Sequence, residues 1–489
     1  MCGFAGFINS YKFDLDYKNI LEKMGNSINH RGPDDNGQWY DDVSGIGLAH
    51  RRLSIIDLTN NGHQPMVCNQ NQYVLVYNGE IYNHKSLRDE LKKEGREIFW
   101  KGNGDTETLF NSLIHWGIKK TLNKCHGMFA FAFWDNKKKI LSLARDRIGE
   151  KPIYYGFNNI DGKKVFLFGS ELKSIENFKY FNKEIDRQSL GLFFKYGNIP
   201  SPSTIYNNFY KLKPGYIATI SAKNLNIKYE NYWSLNSTVT QSKNNVFNGT
   251  QLEAANSLDD LLKKVLSKQM IADVKLGAFL SGGIDSSLIV SLMQSISTNQ
   301  IQTFSIGFNE KKLNEAVLAK QISNHLGTEH TELYITKSDL LKTLPLIQDI
   351  YDEPFADSSQ IPTYFVSKLA KENVKVVLSG DGGDEIFGGY NRYQFIQKNW
   401  KLISSIPLDL RKIIYQIYDK IPLFLLDFII NTVLRKQIYN VEGTLNKVFK
   451  IIKSNNINEA YSYLISIQSN SNKIVKNIDN PKIDILNSC

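Results

Sequence analysis

Cysteine is scarce in these 489 residues. There are four, Cys2, Cys68, Cys125 and Cys489, and none is spaced as CxxC or as a zinc finger, so no structural zinc site is expected. So few thiols suit a reducing cytosol, and a cytoplasmic location is expected. No basic stretch followed by an apolar one opens the chain, so no secretory leader is expected either. Long apolar runs are lacking too. The most apolar stretch, residues 421–434, is broken by Pro422 and Asp427. It is too short to cross a bilayer and reads as a buried helix. No membrane partner is expected.

What the chain has in quantity is length and an ordinary globular composition. Hydrophobic residues make up 42% and charged residues 22%, enough for two or three domains with their own cores. The formal charge is +10, but the lysines are scattered among Asn and Ile. Lys137, Lys138 and Lys139 form the one triple run, which reads as a solvated turn. No nucleic-acid partner is expected.

The first part, residues 1–233, reads as sheet-rich. Residues 73–77 (YVLVY) form a strand ending at the turn signal Asn78-Gly79. Residues 128–134 (MFAFAFW) and 139–144 are two strands joined at Asp135-Asn136, and 165–168 is another. Helices are expected at 17–28, 86–94 and 106–116. Residues 234–250 are polar and patternless, which suits a linker. From 251 the texture changes. Leu252, Ala255, Leu258, Leu261, Leu262 and Val265 recur at helical spacing. Strands (277–280, 303–308, 375–378) then alternate with helices (286–297, 315–326, 361–372). Such alternation predicts a parallel α/β sheet. Beyond Trp400 helices are expected.

Two clusters of motifs carry chemistry. Cys2 follows Met1, and removal of Met1 would leave a thiol beside a free α-amine. With a pKa of roughly 7.7–8.0 that amine can serve as base while the thiolate serves as nucleophile. A second-position cysteine alone says little, but MCGFAGFI is followed by HRGPD (30–34), HRRLSIID (50–57), NGE (78–80) and GNGDTET around Asp105. In order and spacing these resemble the glutaminase domain of class II glutamine amidotransferases, an α+β N-terminal-nucleophile fold (αββα sandwich). The resemblance implies an oxyanion hole from the Asn78 side chain and the Gly79 N–H. It implies Arg52 on glutamine's carboxylate and Asp105 on its ammonium, with Leu53, Ser54, Ile55, Ile56 and Glu80 completing the pocket. Each residue alone has a plainer reading: Asn78-Gly79 a hairpin turn, Asp105 a helix N-cap, Arg52 a surface charge. Cys68 and Cys125 read as buried packing residues.

The second cluster is LSGGIDSS (280–287), set between a strand and a helix. Two glycines let backbone approach phosphate oxygens, and a helix N-terminus attracts anions. The Walker pattern with its lysine is missing here, which argues against ordinary γ-phosphoryl transfer. SGGxDSS resembles instead the loop of N-type ATP pyrophosphatases. DEPFADSSQ (352–360) and LSGDGGDEIFGGY (378–390) resemble the asparagine synthetase family. The resemblance implies an ATP site from Leu280, Ser281, Gly282, Gly283, Asp285, Ser286, Ser287, Ile306, Ser379 and Gly380. It implies Mg²⁺ on Asp285 and Asp384, with Asp381 as an acid serving the acyl-adenylate step. Without it, Asp381, Asp384 and Glu385 read as a solvated acidic turn.

The expected organisation is therefore an amidotransferase domain (1–233), a linker (234–250) and an α/β parallel-sheet ATP-pyrophosphatase domain (251–489). The implied substrates are glutamine, aspartate and ATP, and a homodimer is compatible with the reading. The chain departs from the family pattern at Asp381, where many members have Glu, and at Lys275, usually Pro. A segment like S-L-E-x-R-x-P-F-L-D, usual further along, is missing from these residues, so a C-terminal truncation is expected. Two alternatives follow: amidation of another carboxylate, such as a sugar acid, or a half-active or interaction protein.

Overall fold

A computed structural model describes residues 1–11, 16–68, 71–310, 314–422, 441–468 and 471–479. By compactness the chain forms two units. Among the described residues, one holds 1–189 and 199–379; the other holds 190–198 and 380–479.

The apolar runs at 73–77 and 128–134 do not alternate with polar residues, because both of their faces are covered. In chain order the first twelve strands are β1 (Gly3–Ile8), β2 (Asp35–Asp41), β3 (Ile46–Arg52), β4 (Met66–Val67), β5 (Tyr73–Ile81), β6 (Gly127–Asp135), β7 (Ile140–Arg145), β8 (Tyr154–Ile160), β9 (Lys163–Gly169), β10 (Phe209–Lys211), β11 (Tyr216–Ser221) and β12 (Ile227–Asn231). They make two six-stranded sheets, ordered β10-β8-β9-β1-β3-β2 and β12-β11-β7-β6-β5-β4. Between the sheets lies a core of Phe4, Leu48, Val76, Ala132, Trp134 and Phe166 among others, nearly all fully buried. On the outer face of the second sheet Leu75, Tyr77, Phe129 and Phe131 meet Leu87, Leu109 and Leu113. These come from helices α1 (His84–Lys93) and α2 (Asp105–Trp116). On the outer face of the first sheet Phe7 stacks edge-on against Tyr17 of the helix Tyr17–Asn26. The four layers are those of an αββα sandwich.

One expectation fails informatively. Asn78-Gly79 does not turn the chain; β5 runs through it, pairing Asn78 with Ala130 and Gly79 with Phe129. A side chain at Gly79 would collide with the Met128 carbonyl, so the glycine serves close strand approach, not a turn.

The expected parallel sheet is present. β13 (Leu276–Phe279), β14 (Gln302–Phe308), β15 (Glu329–Ile335) and β16 (Val376–Leu378) are ordered β15-β14-β13-β16, all parallel. Their core holds Ala278, Leu280, Val290, Met293 and Ala319. Residues 234–250 contain an exposed helix, Leu235–Lys243, with no buried residue. Apart from Leu235 and Val239, both exposed, it is polar, which is why no pattern announced it. The other unit is helical among its described residues, with Ile396, Ile451 and Ala460 at its core. The stretch 421–434 falls almost wholly outside the described residues. No described helix is long and apolar enough to cross a membrane.

One buried carboxylate ties the end of β7 to the loop after it. Asp146, 1% exposed, accepts hydrogen bonds from the N–H groups of Phe129, Gly149, Glu150 and Lys151 at 2.6–3.2 Å. Asp146→Ala leaves these donors unpaired, and urea unfolding is expected to show a loss of about 3 kcal/mol. Asp146→Asn, which keeps one acceptor oxygen, should lose less.

Candidate active site

β3 ends at Arg52 and β5 carries Asn78, Gly79 and Glu80 past it. Where β1 begins beside them a cavity of about 50 Å³ is lined by Cys2, Arg52, Leu53, Ile55, Ile56, Asn78, Gly79, Glu80 and Asp105, with Met1, Gln64, Tyr77, Thr106, Met128 and Lys151. Of the residues predicted for this pocket, Ser54 alone is not in the lining; its N–H donates to Asp34 Oδ2 at 2.9 Å.

The Cys2 Sγ sits against the Leu53 backbone. It accepts from Leu53 N at 3.4 Å and lies 3.6 Å from Leu53 O. Burial pushes the thiol's pKa up, and the Leu53 hydrogen bond opposes this. The neighbouring terminal amine of Met1 is lowered to about 6, by burial first and then by Arg31 and Lys151. The Met1 amine is therefore largely neutral at pH 7.

Arg52 is buried, not a surface charge. Its guanidinium donates to Thr59 O at 2.8 Å and to Asp57 O. A Cβ on Gly62 would meet the guanidinium, so a larger residue there would displace Arg52 from this position. Asp105 is not the helix cap. Gly104 holds that position, and Asp105 Oδ2 accepts from Tyr77 Oη at 2.8 Å and Ile81 N at 2.9 Å. Glu80 is raised to about 7 by burial and by the charge of Asp105.

Asn78 is fully buried, and neither its Oδ1 nor its Nδ2 has a hydrogen-bond partner. An unpartnered buried amide costs stability, so its place in the cavity wall points to a ligand-facing function. The segment before it is fixed at three points. Tyr77 N donates to Gln64 Oε1 at 2.7 Å, His50 Nε2 contacts Tyr77 O at 3.0 Å, and Tyr77 Oη reaches Asp105. Burial lowers His50 to about 3, so it is neutral and its Nε2–H donates. Sequence reasoning missed Gln64, Tyr77 and Lys151. Gln64 is brought in from 13 residues away across a strand pair, and no local pattern signals that. Cys125 is buried as expected, whereas Cys68 is half-buried and accepts from Gln72 N and Tyr73 N, both at 3.1 Å.

In the parallel-sheet half, Ser281 follows β13 and the helix Ile284–Ile296 begins with Asp285 in its first turn. The loop closes on itself through serines. Ser281 Oγ lies 2.8 Å from Ser286 Oγ and accepts from Gly283 N at 3.1 Å, and Ser287 Oγ donates to Gly283 O at 2.7 Å. A Cβ on Gly282 would press on Leu318. Beside the loop, Leu280, Ser281 and Ile306 line a cavity of about 290 Å³ with Phe304, Pro362 and Val366. Gly282, Gly283, Asp285, Ser286, Ser287 and Ser379 lie outside that lining. It opens at the carboxyl ends of β13 and β14, where such sheets bind ligands.

Gly380, Asp381 and Asp384 belong to the other unit. Asp381 is exposed, and Asp384 lies in the first turn of the helix Gly383–Phe387, folded against Gly389. Among the described residues no three His, Cys, Asp or Glu side chains cluster to hold a metal. Single carboxylates such as Asp285 and Asp384 still suit Mg²⁺, which takes one or two of them and completes its shell with phosphate and water.

Residues 1–233 match the glutamine amidotransferase domain family and 257–456 the asparagine synthase family. The chain is 35% identical to asparagine synthetase [glutamine-hydrolyzing] 1 of Bacillus subtilis over 86% of its length, and spans 64% of that relative. It is 36% identical to a putative asparagine synthetase [glutamine-hydrolyzing] 2 of Methanocaldococcus jannaschii over 83% of its length, and spans 80% of that one. With both domain families in tandem on these folds, the chain belongs to the glutamine-hydrolysing asparagine synthetase family.

Proposed function

We propose that the chain hydrolyses glutamine at Cys2 and transfers the released nitrogen to the β-carboxylate of aspartate, activated by ATP. One observation carries the reading most directly. A half-buried thiol on a neighbouring backbone N–H shares one cavity with an unpartnered amide, one guanidinium and two carboxylates.

Removal of Met1 would make the Cys2 α-amine the chain terminus. A free α-amine has an ordinary pKa of roughly 7.7–8.0, close enough to neutral for part of it to be unprotonated. It can take the thiol proton as sulfur attacks the glutamine amide carbon. The oxyanion that forms is met by Asn78 Nδ2 and the Gly79 N–H. Arg52, fixed by Asp57 O and Thr59 O, pairs with the substrate carboxylate. Asp105 and Glu80 face its ammonium. Ammonia leaves, and water releases glutamate from the thioester. In the other half Leu280 and Ile306 offer an apolar wall to adenine, and the 281–287 loop offers N–H and O–H donors to phosphate. Asp285 and Asp384 would each offer a carboxylate to Mg²⁺, which neutralises phosphate charge when bound. Ser379, Gly380 and Asp381 serve nucleotide and acyl-adenylate in this reading. Departure of pyrophosphate leaves β-aspartyl-AMP, and ammonia displaces AMP. A different carboxylate acceptor is favoured by one observation, Asp381 within LSGDGGDE, since the shorter acid reshapes the acceptor side.

Protein supplied with glutamine, aspartate and MgATP is expected to yield glutamate, asparagine and AMP in near-equal amounts by mass spectrometry. Glutamate without asparagine would overturn aspartate as the acceptor. Active protein should lack Met1 by intact mass. Cys2→Ala should abolish glutamate formation and Cys68→Ala should not.

Asn78→Ala should lower kcat for glutamine hydrolysis by about 10²–10³ with little change in KM. The pH dependence has a definite sign. Glu80 is anionic only above about 7, so KM for glutamine should fall as pH rises through that value. Glu80→Gln should remove this inflection.

A further inference from the structure

The proposed chemistry gives no part to the acidic pair that opens DEPFADSSQ, Asp352 and Glu353. Neither lines the nucleotide-side cavity. Both carboxylates instead bind the amidotransferase layers. Asp352 Oδ2 accepts from Lys173 N at 3.2 Å, and its Oδ1 lies 3.1 Å from Lys173 Nζ. The same Nζ donates to Asp349 O at 2.7 Å. Glu353 accepts from Ile205 N at 2.9 Å and pairs with Lys211 Nζ at 2.6 Å.

The contacts continue inward from Lys173. Its Nζ is 3.4 Å from Glu171 Oε2. Glu171 Oε1 accepts from Arg31 Nη1 at 2.6 Å, and its Oε2 is 3.1 Å from His30 Nε2. Arg31 Nε donates to Cys2 O at 2.9 Å. Its Cδ lies 2.9 Å from where a Cβ on Gly3 would sit, so the side chain occupies the space that the next residue's lack of a side chain leaves. An unbroken series of ionic contacts thus runs from the Cys2 carbonyl to Asp352.

These are not weak surface pairs. Side-chain exposure is 9% for Arg31, 14% for Glu171, 21% for Lys173 and 7% for Asp352. Charges so placed are poorly screened, and removal of one leaves its neighbours uncompensated. Burial alone would raise Glu171, but His30 and Arg31 hold it at about 2. Asp352 is raised, by burial and then by the charge of Glu171. Lys173 is the cation that keeps the two carboxylates compatible.

We propose that Arg31, Glu171, Lys173 and Asp352 form an ion-pair relay that positions Cys2 for attack, so that the glutaminase rate depends on how the 352–353 segment is seated. The relay rests on the reading of Cys2 as nucleophile. Its members are positioning residues. None reaches the glutamine cavity, and the groups assigned to glutamine's charged ends, Arg52, Asp105 and Glu80, stand apart from it. Disturbing the relay therefore moves the nucleophile and leaves the substrate clamp intact.

The test uses the full chain carrying Lys173→Met, Lys173→Arg, Asp352→Asn and the Lys173→Met/Asp352→Asn pair. Glutamine hydrolysis and the rate of Cys2 alkylation by iodoacetamide are both measured. Lys173→Met is expected to lower kcat about tenfold, since small misplacement of a reacting group is costly, with KM for glutamine within about twofold. Lys173→Arg should recover most of the rate. The double variant should lose less than the product of the single losses, because the two residues act through one contact. Asp352→Asn is nearly isosteric and gives a reading should Lys173→Met not fold. Unchanged kcat and alkylation rate in both Lys173→Met and Asp352→Asn would overturn the relay, as would a loss confined to KM. If the wild-type chain hydrolyses no glutamine, the reading of Cys2 has failed. The alkylation rates then still decide the relay: a shift of at least about threefold in Lys173→Met supports it, and equal rates refute it.

Discussion

The pairing of β5 with β6 is the constraint on which the rest of the amidotransferase half depends. These two strands are buried on both faces, one set of side chains in the inter-sheet core and the other under α1 and α2. Their register is thereby fixed, because a one-residue slip would exchange two full sets of packed side chains. The register puts Asn78 opposite Ala130 and Gly79 opposite Phe129. It therefore sets an amide and a backbone N–H beside the start of β1, in the wall of one cavity. Tyr77 belongs to the packed face and still lends its hydroxyl to Asp105. Core and site share residues, so neither can drift without the other.

Much of this was legible in the sequence, for reasons that differ by element. YVLVY and MFAFAFW announce strands because β-branched and aromatic residues are dense there. The alternation after residue 276 announces the parallel sheet. The motifs around Cys2, Arg52, Asn78 and Asp105 announce a site because their residue types converge on one chemistry. What stayed hidden depends on tertiary contact. Asn78-Gly79 carries a turn's local chemistry, but the close approach of Met128 decides its conformation. β1 reads as a motif, GFAGFI, before it reads as a strand, since glycine dilutes the pattern. β15, with His330 and Glu332 among its residues, has too mixed a face to stand out. Gln64 and Lys151 enter the cavity from loops whose sequences say nothing of where they end.

The contact between the two chemistries within the first unit is built from charge and hydrogen bonds. Lys375 pairs with Asp34, which also holds Ser54 N. Asp273 grips the 55–57 loop twice, through its N–H to Ile55 O and its carboxylate to Asp57 N. Lys275, the departure from the family's proline, offers its carbonyl to Lys375 N at 3.1 Å. A proline has that carbonyl too, so this contact does not depend on the substitution. Polar interfaces of this kind fix orientation without a large apolar area, and they respond to charge more than hydrophobic ones do.

The terminal amine, that of Met1, lies among Arg31, Lys151 and Glu80 beside the thiol, and removal of Met1 would move the chain end to Cys2. A chain end in such a place has consequences for how the protein is handled. Any residue left joined ahead of Cys2 converts the α-amine into an amide, which has no basicity near neutral pH. If Cys2 is the nucleophile and its own amine the base, as proposed, an affinity tag on that end is to be cut flush with the cysteine or moved elsewhere. On that reading a preparation that ignores this would be folded, pure and silent.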